Sequence, residues 1–122
     1  MPTTVYVIDP YPDERRWMES ALARLAENIV FLDNAEVLLG SLPESASACL
    51  IASADADQAA TLKLVRDLRV GGAMLPVIVL GPYTAFRTAV DIARLEATDF
   101  LERPVSVRQL RTAVRRAIAG LK

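Results

Sequence analysis

A chain of 122 residues is long enough for one domain that buries roughly two-thirds of its unfolded surface, and 52% hydrophobic with 24% charged residues excludes a disordered segment. No apolar run approaches the ~20 residues of a membrane span, the N-terminus Met-Pro-Thr-Thr has no basic lead into a signal core, and a single cysteine excludes an internal disulfide and a zinc site, so a cytoplasmic location is expected. The net charge of −1 is unevenly spread, with six basic and eleven acidic side chains in residues 1–83 against eight and four in residues 84–122; this fits a solvated face or a protein-partner surface, and the lack of interleaved aromatics argues against direct nucleic-acid binding.

Thr4 to Ile8 is a β-branched and aromatic run suited to a strand buried on both faces. Pro10 and Pro12 mark a turn, and Pro12 with Asp13 and Glu14 opens a helix whose stripe is Met18, Ala21, Leu22 and Leu25, with Trp17 packing at its edge. Asn28 to Leu32 reads as a second strand. Asn34 is placed to cap a brief helix holding Val37, Leu38 and Leu39, and Gly40 to Ser47 is a loop. Ala48 to Ala52 is the third strand, in which Cys49 reads as a small core residue. Leu62, Val65 and Leu68 mark the inner side of a helix from Gln58 to Val70, which Gly71-Gly72 ends. Leu75 to Leu80 is the fourth strand, with Pro76 near its start. Beyond Gly81-Pro82, Thr84 caps a helix with Phe86, Ala89, Val90 and Ala93 inward, and Thr98 to Leu101 is the fifth strand. Ser106 and Gln109 form a capping box for a last helix, whose expected stripe is Val107, Leu110, Val114, Ala117 and Leu121.

Five strands alternating with five helices, with no repeat, demand a parallel sheet covered on both faces. The expected fold is α/β, the flavodoxin-like doubly wound type with strand order 2-1-3-4-5 and a crevice between the first and third strands. Chemistry in such folds sits at the carboxyl ends of the strands. What stands at Ser53, where the third strand runs into a loop holding Asp55 and Asp57, therefore decides between chemistry and binding. A serine in a chain with no histidine is not a nucleophile with a base.

Val5-Tyr6-Val7-Ile8-Asp9, Leu75 to Leu80, Thr88-Ala89-Val90 and above all Asp99-Phe100-Leu101-Glu102-Arg103-Pro104 resemble the CheY-like receiver domain of bacterial response regulators, from about Thr4 to Ile118. The order and spacing of these pieces carry the likeness, which is nearest to receivers that precede DNA-binding output domains. The resemblance implies a two-component phosphorelay module that normally takes a phosphoryl group from a histidine kinase. It also implies which residues form the pocket. The phosphoacceptor carboxylate is replaced by Ser53; of two metal-holding acids after the first strand Asp9 remains and the second is Pro10; the hydroxyl after the fourth strand is Gly81. Pro82 follows without the N–H that binds phosphoryl oxygens, and the lysine before the last proline is Arg103.

These departures lead to a degenerate receiver, not an enzyme, with no catalytic residue, metal or cofactor, acting in transcription regulation through protein binding. Arg103 is expected to pair with Asp9 across the emptied pocket, and the Arg103–Pro104 bond to be cis, as the resemblance implies. The expected surface is the fourth helix, fifth strand and fifth helix, where Asp91 and Asp99 meet Arg108, Arg111 and Arg115 of a second copy in a two-fold homodimer; a solvated helix face is the alternative. Phe100, at the switch-aromatic position, has only Gly81 to couple with and is expected to be fixed. Two alternatives remain: a sensor of a small organic ligand in the crevice, and phosphorylation at the displaced acids Asp55 or Asp57. A chain ending just after a helix also looks like a receiver cut from a C-terminal DNA-binding domain.

Overall fold

The computed structural model of the chain describes residues 3–8, 12–32, 48–53, 58–70, 75–82 and 99–119, and eight elements lie among them. In order they are β1 (Thr4–Ile8), α1 (Pro12–Leu22), β2 (Asn28–Leu32), β3 (Ala48–Ser53), α2 (Gln58–Val70), β4 (Val77–Gly81), β5 (Asp99–Glu102) and α3 (Val107–Ala119). The helices expected after Asn34 and Thr84, together with Asp9, Pro10, Asp55, Asp57, Asp91 and Leu121, lie outside the described residues. Among the described residues no helix is long and apolar enough to cross a membrane.

The strands form one parallel sheet in the expected order β2-β1-β3-β4-β5. Central strands carry apolar residues on both faces because helices cover both, and the alternation of side chains divides the core in two. Val5 and Val7, Cys49 and Ile51, and Ile78 and Leu80 face α1 and α3, where Met18, Leu22, Leu110 and Val114 close the layer. Leu50, Ala52, Val77 and Val79 face α2 through Leu64, Val65 and Leu68. Trp17 packs half-buried at the edge of the first layer, and Cys49 is buried in it.

Several boundaries differ from expectation. β3 runs one residue further, so Ser53 is its last residue. β4 starts at Val77, and Leu75 and Pro76 precede it, the Pro76 carbonyl accepting from the Leu50 N–H at 2.9 Å. On α2 the inward line is Thr61, Leu64, Val65 and Leu68, and Leu62 is only half-buried. The buried Thr61 hydroxyl donates to the Ser53 carbonyl at 3.1 Å, which makes this polar side chain compatible with the core. Val107, the first residue of α3, is 44% exposed; the buried line of the helix begins at Leu110 and continues through Ala113, Val114 and Ala117. The capping box forms as expected, Gln109 N–H to Ser106 Oγ at 3.0 Å and Ser106 N–H to Gln109 Oε1 at 2.8 Å.

Candidate functional site

Parallel strands end together, so their last residues share one edge of the sheet. Register places Ser53 beside Leu80 and Gly81 beside Glu102, and the Arg103 N–H extends the ladder by donating to the Gly81 carbonyl at 2.8 Å. That bond holds Arg103 against the edge, and its peptide to Pro104 is cis. From there the guanidinium reaches across the strand ends. Nη2 donates to Ser53 Oγ at 3.2 Å, and Nη1 donates to Glu14 Oε2 in the first turn of α1 at 2.6 Å. The Arg103 and Glu14 side chains are 19% and 20% exposed, so this pair is far less screened than one in open solvent.

The pairing of Arg103 with Asp9 falls outside the described residues; Glu14 is the carboxylate the structure places on the guanidinium. Sequence alone marks Glu14 only as a favourable charge at a helix start. The signal that finds it is positional: the first turn after β1 overhangs the edge where β5 delivers Arg103. Among the described residues no three His, Cys, Asp or Glu side chains converge in a way that could hold a metal ion.

No family model matches the chain. The transcriptional regulatory protein FixJ of Bradyrhizobium diazoefficiens is 23% identical over 114 residues, covering 93% of this chain, which spans 56% of FixJ. The crystal structure of a response regulator receiver protein from Pseudoalteromonas atlantica superposes with a TM-score of 0.81 at 27% identity, covering 98% of this chain and 99% of that one. This chain is a response-regulator receiver domain. The receiver domain of the response regulator TorR agrees in fold, with a TM-score of 0.86 at 13% identity over 99% of this chain and 100% of that one.

In this receiver domain Phe100 is half-buried and packs with the α2-side core, while its N–H donates to Asp99 Oδ1 at 2.9 Å. Asp99 and Leu101 on β5 form one wall of a groove of about 280 Å³, with Arg108, Gln109, Thr112 and Arg116 of α3 on the other. Arg111 points the opposite way. Its Nη1 donates to the carbonyls of Ala21 at 2.8 Å and Ala23 at 3.1 Å, where α1 ends. The three arginines grouped by sequence are therefore placed differently: Arg108 lines the groove, Arg115 is exposed, and Arg111 is engaged with α1. Arg116, which the sequence pattern does not single out, shares the groove with Arg108 because a four- and eight-residue spacing keeps 108, 112 and 116 on one flank.

Proposed function

We propose that this receiver domain signals by binding protein, without taking up a phosphoryl group at the end of β3. The observation that carries this reading is the engagement of that strand end by Arg103, bonded to Ser53 Oγ and ion-paired to Glu14. Ser53 stands where the resemblance implies a phosphoacceptor carboxylate. Its hydroxyl is a weaker nucleophile, and the chain has no histidine to activate it.

The Mg²⁺ that the family's chemistry uses does not fit these residues. The ion takes hard oxygen ligands in octahedral geometry, whereas of the acids that the resemblance implies only Asp9 remains, Glu14 is taken by Arg103, and Ser53 offers one hydroxyl that already accepts from a cation. Pro10, Gly81 and Pro82 add no carboxylate, hydroxyl or N–H where the resemblance implies them. The partner we assign is a second copy, meeting through the groove between β5 and α3. FixJ is a transcriptional regulatory protein of which the matched stretch is 56%, and on that footing we place this domain ahead of a DNA-binding output domain.

The test is intact mass after incubation with acetyl phosphate and Mg²⁺, with light scattering on the same sample. The expected result is an unmodified chain that scatters as a dimer. A phosphoryl adduct would overturn the reading and turn attention to Asp9, Asp55 or Asp57. An unmodified monomer would remove the second copy as the partner.

A further inference from the structure

The helices α1 and α3 start at the same edge of the sheet, run back over the same face and pack against each other. Among the described residues two arginines attach α1 to the segment that runs from β5 into α3. At the edge Glu14 holds Arg103, which lies just before α3; near the far end of α1, Arg111 of α3 holds the Ala21 and Ala23 carbonyls. The two attachment points on α1 are about 12 Å apart, the rise of roughly eight helical residues. One attachment allows two packed helices to pivot. Two attachments at that separation resist both pivoting and sliding.

We propose that these contacts are a built-in clasp that holds the junction between β5 and α3 in one position with no bound ligand, so that the groove on the far flank of α3 is permanently presented. The presentation of the groove rests on the binding reading above; the clasp itself rests on the geometry of Glu14, Arg103 and Arg111. The chemistry of each contact suits this task. The edge contact is a charge-assisted hydrogen bond between largely buried groups, stronger than a neutral one, and it is reinforced by the Ser53 hydroxyl. The far contact places a cation on carbonyls at a helix C-terminus, where the dipole favours positive charge. Both contacts are made entirely by groups of this chain.

The test is amide hydrogen exchange by NMR on the whole chain. The Arg103 N–H, bonded to the Gly81 carbonyl, and the Leu110 N–H, bonded to the Ser106 carbonyl, report the edge; the Leu25 and Ala26 N–H groups, both bonded to the Leu22 carbonyl, report the far end. Glu14→Gln is expected to speed exchange at Arg103 and Leu110 by roughly tenfold, the loss of one charge-assisted bond, with Val7 and Ile51 in the sheet unchanged. Arg111→Gln is expected to act in the same way on Leu25 and Ala26. The exchanged pair Glu14→Arg with Arg103→Glu is expected to restore protection at the edge. Unchanged exchange at Arg103 and Leu110 in Glu14→Gln overturns the clasp, and so does a rise of equal size throughout the sheet, which marks a general loss of stability. If Glu14→Gln fails to fold, Arg103→Lys gives the same decision, since an ammonium keeps the charge but lacks the planar fork that bonds Glu14 and Ser53 at once. A phosphoryl adduct on the wild type bears on the binding reading alone, and the exchange rates still decide the clasp.

Discussion

Cys49 sits in the middle strand with no exposed surface, and burial pushes its thiol up from an ordinary 9.0 to about 12. Because the folded state disfavours the thiolate, the stability that follows from keeping it neutral is complete below pH 9 and is lost as pH rises towards 12. Urea midpoints of wild type and Cys49→Ala, compared at about pH 7, 8 and 10.5, should keep a constant difference up to the second value and then converge or cross at the third. Using the difference removes the lysines and tyrosines that titrate in the same range. A constant difference throughout would show that the thiol ionises as readily folded as unfolded. The buried character of Cys49 is legible from its apolar neighbours, since a small residue inside an apolar run has nowhere else to go. The partner of Arg103 is not, because Glu14 lies 89 residues away and no local pattern records such a meeting.

At the scale of elements, α1 ends without the glycine that commonly closes a helix. Arg24 instead takes φ 69°, the left-handed region, with the Leu22 carbonyl accepting from Leu25 and Ala26 at 3.0 Å each. A residue with a Cβ costs roughly 1–2 kcal/mol there, and the greater freedom of an unfolded glycine offsets part of the gain from replacing it. Arg24→Gly should therefore stabilise the domain by about 0.5–1 kcal/mol, read as a higher urea midpoint at unchanged slope; a lower midpoint would mean the exposed Arg24 side chain contributes more than the strain costs. Elements with their own periodicity or caps are legible in order: the buried strands, the stripe of α1, and the capping box that starts α3. What sequence does not supply is how far each helix overlaps the sheet. That is why Val107 reads as core although it is 44% exposed at the start of α3, and why the expected inner line of α2 leaves out Thr61 although it is buried with its hydroxyl satisfied by the end of β3. The end of α1 is equally silent, since an arginine in a left-handed turn has no sequence signature and its neighbouring carbonyls are capped from a different helix.

Across the whole molecule the charge imbalance between the two parts of the chain resolves into a local pattern. α3 carries four arginines and no acid, and two of them, Arg108 and Arg116, line the groove whose opposite wall includes Asp99. A patch with both signs can meet its own copy about a two-fold axis, Asp99 of each chain facing the arginines of the other, because a self-complementary surface is what such symmetry requires. Exposed pairs of this kind add little each and are screened over about 8 Å at physiological ionic strength, so the proposed dimer should weaken steadily with salt. Reversing Arg108→Glu and Arg116→Glu together should abolish it in light scattering, by setting three carboxylates around the groove of each copy. Arg111→Gln separates this from a general effect of lost positive charge. Its guanidinium serves the α1 carbonyls, so the substitution should cost about 1–2 kcal/mol of stability and, by releasing one end of the clasp, weaken the dimer without abolishing it at temperatures where the variant stays folded. Loss of the dimer in Arg111→Gln with retention in the double reversal would move the interface to the α1 side of α3 and leave the groove without a second copy.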